Sequence, residues 1–130
     1  MNYKFGKNYK LCSKVIIKSL FETGLTIKQY PFIATFKEIN LRSITPLKVA
    51  FSAPKRIFKK AHERNEIKRK TKEAFRLNKN IIENYLKNNN KQIALFLVYS
   101  SQEEFSHIVL EEKTKKLFDK IINKLEEDHA

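Results

Sequence analysis

The run Ile93 to Tyr99, IALFLVY, is the longest apolar stretch in the chain and the feature that most restricts the fold. Seven residues are the length of a strand and fall far short of the roughly 18 needed to cross a membrane. The run lacks the alternation of a strand with one wet face, so it must be covered on both sides. A second strand-like segment, Leu47 to Ser52, is fenced by Pro46 and Pro54. Between these two, residues from about Phe58 to Leu86 read as a long helix, with Asn88-Asn89-Asn90 as its exit. A strand–helix–strand unit of this kind sets its two strands parallel in one sheet.

The flanking segments complete the outline. Leu11, Ile16, Ile17, Leu20 and Phe21 recur at near-helical spacing, and Gly24 ends that helix. Residues 27–39 are rich in aromatic and β-branched side chains and read as extended. Beyond Glu103 the chain is amphipathic, helical at least from Lys113, and Ser100-Ser101 ahead of Glu103-Glu104 resembles a helix start. The expected fold is α+β: about four strands with helices packed on the sheet, in the order α-β-β-(β)-α-β-α, one sheet face remaining partly open. With 130 residues, no internal repeat and two glycines, the chain suits one domain spanning 1–130, in which 1–10 is a loose basic tail. The lone Cys12 supports neither a disulfide framework nor a Cys-rich metal site, and the chain reads as soluble and cytoplasmic.

Charge narrows the function. Lysine and arginine total 27 against 14 acids, a net +13, which invites a polyanion. Residues Lys55 to Arg76 hold ten basic side chains and three acids, so 22 residues carry +7. At about 100° per residue, Asn65, Arg69, Lys72 and Arg76 fall within an arc of roughly 60°, flanked by Arg64 and Lys68. Glu63, Glu66 and Glu73 lie off that arc, while Ile67, Thr71 and Ala74 form a stripe suited to a sheet. Lysine-rich helix faces are usually only solvated. Here planar arginine forks suited to phosphate, and acids segregated from the cationic arc, favour polyanion binding. Phe21, Phe32 and Phe36, with Lys14, Lys18, Lys28 and Lys37, offer the aromatic faces and cations that unpaired RNA requires, although most phenylalanines are core residues. His62, His107 and His129 are too scattered to form a ligand set, and the sequence holds no phosphate-cradling glycine loop.

The pattern Arg64-Asn65-x-x-Lys68-Arg69-x-x-Lys72-Glu73-Ala74-Phe75-Arg76 resembles the signature of the ribonuclease P protein component. The preceding Val49-Ala50-Phe51-Ser52-Ala53-Pro54-Lys55-Arg56 is similar to that family's strand ending in paired basic residues. The resemblance runs from about Leu11 to Leu125. Two departures stand out: Glu66 where the family usually has arginine, and Lys72 in place of another arginine. The resemblance implies a left-handed strand–helix–strand crossover and a protein with no catalytic residues of its own. It implies partnership with a catalytic RNA, in a 1:1 complex away from membranes. That RNA, holding Mg2+, removes the 5′ leader of precursor tRNA. It also implies two contact sets. Lys55, Arg56, Lys60, Arg64, Asn65, Lys68, Arg69, Lys72 and Arg76 would meet the catalytic RNA. Phe21, with Ile17 and Thr35 roughly aligned to the family's other aromatic positions, would line a cleft for the single-stranded leader; the residues themselves add Phe36, and Phe51 if the strand register exposes it. The rival readings are a non-catalytic RNA-binding or ribosome-associated protein and, more remotely, a peripheral membrane protein with a basic face.

Overall fold

A computed structural model of the chain describes residues 9–42 and 44–127. The elements run α1 (Lys14–Thr23), β1 (Leu25–Gln29), β2 (Phe32–Glu38), β3 (Leu47–Ser52), α2 (Ala61–Asn88), β4 (Ile93–Tyr99) and α3 (His107–Glu127). One mixed sheet has the strand order β1-β2-β4-β3. Strand β2 pairs antiparallel with both β1 and β4, and β3 pairs parallel with β4 across the α2 crossover. The apolar run is therefore an inner strand, flanked by β2 and β3. This is the fold class expected from the sequence.

Strand alternation sorts the side chains into two layers. Phe32, Ala34 and Phe36 of β2, Leu47 and Val49 of β3, and Leu95 and Leu97 of β4 belong to one buried core. Helices α2 and α3 close it with Ile67, Phe75 and Ile82 from the first and Leu117, Phe118 and Ile121 from the second. Phe75 is its hinge pin, meeting Phe118 edge-on at 4.9 Å and Phe51 at 5.5 Å. On the opposite face packs α1, whose Leu20 is buried with Leu11 and with Ala94 of β4 in a separate, smaller cluster.

Several local expectations are corrected. The extended stretch at 27–39 is a hairpin, turned at Tyr30-Pro31. Helix α2 starts at Ala61 rather than Phe58, because the Pro54 carbonyl accepts the amides of Ile57 and Phe58 and turns Phe58 into the core. Helix α3 begins at His107, where Ser106 Oγ accepts the Val109 amide. Ser101 does not start it: its hydroxyl accepts the Glu103 amide and lies 2.5 Å from the Tyr30 hydroxyl. Gly24 does end α1, its amide donating to Leu20 O, but its φ of −73° is not left-handed. Glycine fits there because a Cβ would run into that same carbonyl oxygen. The expected loose tail falls mostly on residues 1–8, outside the described residues. Its last two residues are held: Lys10 bridges Val49 on the β3 edge, and the Tyr9 ring lies beneath Lys79 Nζ at 4.6 Å.

Candidate nucleic-acid interface

Helix α2 divides its circumference as its sequence demands. Ile67, Thr71, Ala74 and Phe75 are buried, and the Thr71 hydroxyl is satisfied by donating to Ile67 O at 2.8 Å. Away from the sheet, Asn65, Arg69 and Lys72 are exposed, and Arg64, Lys68 and Arg76 are half-buried. Lys55 and Arg56 are exposed on the β3–α2 connection, and Lys60 is exposed immediately before the helix. The structure thus brings all nine cationic-set residues onto α2 or the loop leading into it.

Three of them are already engaged. Arg64 Nη1 donates to the carbonyls of Phe58 at 2.8 Å and Lys59 at 3.0 Å, bracing the loop that enters α2. Arg69 donates through Nε and Nη2 to the two oxygens of Glu66, at 3.2 and 2.6 Å. Arg76 does the same to Glu73, at 3.1 and 2.5 Å. The expectation that the acids stand apart from the cationic face is therefore corrected. A wheel angle of about 60° separates partners three residues apart, but two long side chains span it readily. The guanidinium groups hold the Glu66 and Glu73 carboxyls below the usual glutamate range through these hydrogen bonds. Lys72 Nζ lies 6.0 Å from the centre of the Phe51 ring.

The second surface is the face of the sheet that α1 only partly covers. Lys37 Nζ donates to Ser19 Oγ at 2.8 Å and to Thr23 Oγ1 at 2.7 Å, pinning the end of α1 over β2. Phe21 is 62% exposed and stands edge-on to Phe96 of β4, with ring centres 5.1 Å apart. Cross-strand register aligns Thr26, Thr35, Phe96 and Ala50 in one row across this face. The Thr26 and Thr35 hydroxyls are 3.3 Å apart. The next row is Lys28, Ile33, Val98 and Ser52, in which Ile33, Val98 and Ser52 are half-buried and Lys28 is exposed.

Of the proposed leader-cleft residues, Ile17, Phe21 and Thr35 lie on this face. Ile17 is half-buried in the cluster beneath α1. Phe36 does not lie there: it is 0% exposed in the core under α2 and α3, as is Phe32 at 1%. Period-two alternation puts Thr35 and Phe36 on opposite faces, so the two could never share a cleft. Phe51 likewise packs toward the core, against Phe75. Phe96, Ile33 and Val98 were missed in the sequence. Phe96 and Val98 sit inside an uninterrupted apolar run, and only the pairing of β4 with β2 reveals which members face α1.

Among the described residues no group of three or more His, Cys, Asp or Glu side chains is placed to hold a metal ion. No helix among them is long and apolar enough to cross a membrane.

Fold and surface together define a basic α+β domain, with a cationic helix on one side of a sheet and a half-open aromatic face on the other. The family model described as Ribonuclease P matches residues 5–122. The chain belongs to the ribonuclease P protein family. Solved structures agree in fold. The Staphylococcus aureus RNase P protein superposes with a TM-score of 0.64 at 16% identity, covering 85% of this chain and 93% of that one. The Thermotoga maritima RNase P protein gives 0.68 at 19% identity, covering 85% and 96%. No curated protein sequence gives a significant match.

Proposed function

We propose that this protein is the non-catalytic partner of a ribonuclease P RNA. It binds that RNA through α2 and the loop before it, and it binds the 5′ leader of precursor tRNA across the open sheet face. Magnesium and the hydrolytic step belong to the RNA. The observation that carries this reading, beside family membership, is the physical separation of two chemically different surfaces. One is a cationic helix suited to the phosphates of a folded RNA, which proteins recognise largely by shape and backbone. The other offers Phe21 and Phe96 as stacking platforms, bordered by Lys28 on the edge strand, the combination that unpaired nucleotides require.

Leader length tests this division. Phe21→Ala should leave binding to the catalytic RNA unchanged and weaken capture of long-leader precursor tRNA. The loss corresponds to about 1–3 kcal/mol for one stacked base. The penalty should vanish when the leader is cut to one nucleotide. Equal penalties for long and short leaders would remove the leader from this face.

A further inference from the structure

Arg69 and Arg76 lie seven residues apart, two helical turns along the same side of α2. Each is held by the glutamate three residues before it. In both pairs the carboxylate takes the Nε–Nη2 edge of the guanidinium, the planar edge that would otherwise receive a phosphate in parallel hydrogen bonds. Both pairs are open to solvent, the first more than the second: the side chains of Arg69 and Glu66 are 62% and 45% accessible, those of the half-buried Arg76 and Glu73 32% and 40%. Such pairs are weak enough for a competing anion to open.

We propose that Glu66 and Glu73 are affinity-setting residues, each occupying the phosphate-binding edge of an arginine in the free protein so that RNA must displace it. This rests on the reading that α2 binds RNA. The lysines supply a diffuse attraction that any polyanion feels. The two arginines add their contacts only when a phosphate arrives at the right place to exchange with a carboxylate. Competition of this kind subtracts most from the ligand that uses the arginines best. Removing the glutamates should therefore benefit an RNA with phosphates at both positions more than one without them.

The test compares Glu66→Gln and Glu73→Gln with Glu112→Gln, which makes the same change in net charge on an exposed residue of α3. Binding is measured to ribonuclease P RNA and to an unrelated structured RNA of equal length. Each fork variant should bind ribonuclease P RNA about two- to fivefold tighter, the range expected for losing one exposed ion pair. The gain for the unrelated RNA should be smaller, and Glu112→Gln should give little with either. The Arg69 and Arg76 Nε–H resonances of the wild type should shift when RNA is added, as carboxylate is exchanged for phosphate. Equal gains in all three variants would reduce the effect to bulk charge. Weaker binding by the fork variants, with unshifted Nε–H resonances, would make the glutamates supports rather than competitors. Either result would overturn the proposal while leaving the RNA-binding function in place. That function itself would fail if the wild type did not bind ribonuclease P RNA at all.

Discussion

The buried ion pair on α2 allows a sharp prediction about stability. The Lys79 side chain is 0% exposed and that of Glu83 5%, with Nζ and Oε1 3.6 Å apart. That separation lies beyond good hydrogen-bond distance, and Glu83 Oε1 has no other hydrogen-bond partner. Lys79 Nζ also donates to the Tyr9 hydroxyl at 3.2 Å, and burial together with Glu83 pushes the Tyr9 pKa upward. Glu83→Gln keeps the shape but takes away the countercharge, leaving a buried ammonium beside neutral groups. Breaking a buried pair from one side costs about 3–5 kcal/mol. Removing both charges, in Lys79→Met with Glu83→Gln, takes away the desolvation of both ions. Because the facing oxygen is imperfectly paired, the double variant should come within about 1 kcal/mol of wild type or exceed it. Urea denaturation at neutral pH, read by far-ultraviolet circular dichroism, would measure all members of the cycle, with midpoints converted at a shared slope. A Glu83→Gln loss below about 1 kcal/mol, or a double variant as unstable as the single ones combined, would refute the argument that this pair is held by mutual need.

Two other expectations follow from surface charge. If about six cations of α2 and its entry loop meet phosphates, log affinity for RNA should fall with log salt at a slope of roughly −4 to −5; binding nearly flat across moderate salt would contradict phosphate contacts. Acid should act through the two forks. Glu66 is surrounded by Arg69, Lys70 and His107, and Glu73 by Arg76, His107 and Arg69; the net effect lowers both carboxyls. A lowered folded-state pKa gives stability that is present above the unfolded glutamate range and lost as pH falls through the folded value. The forks should leave the melting temperature unchanged between pH 7 and about pH 5 and contribute to its decline below about pH 4.5. Glu66→Gln with Glu73→Gln should decline less steeply there, and an identical acid profile would refute the assignment.

Much of the fold was legible because its strongest signals are local. The uninterrupted apolar run of β4 announced a strand covered on both sides, although Phe96 and Val98 are only half-buried on the face that α1 partly covers, and the two prolines around β3 set its limits. The long basic segment between them could only be the crossover. What escaped was relational. The Tyr30-Pro31 turn sits inside aromatic and β-branched sequence on both sides, so the run looked continuous. Phe32, Ile33, Phe36 and Phe96 are all apolar, and only the helices packed on each face decide which rings are buried. Alternation alone was enough to forbid pairing Thr35 with Phe36, a constraint available from the sequence. The Glu-x-x-Arg spacing at Glu66–Arg69 and Glu73–Arg76 was equally visible, but a helical wheel marks where Cα atoms point and not how far the side chains reach. Tyr9 gave no signal, since its role depends on Lys79, 70 positions away.

The central claim is that this protein assists an RNA enzyme and performs no cleavage itself. Reconstitution of precursor-tRNA cleavage with ribonuclease P RNA from the same organism, across a magnesium titration with and without the protein, tests it most directly. The protein should lower the magnesium needed for cleavage at the mature 5′ end, and RNA-free protein should leave precursor tRNA intact at every magnesium concentration. Cleavage at that site by protein stripped of RNA, or an RNA whose magnesium dependence ignores the protein, would contradict the account.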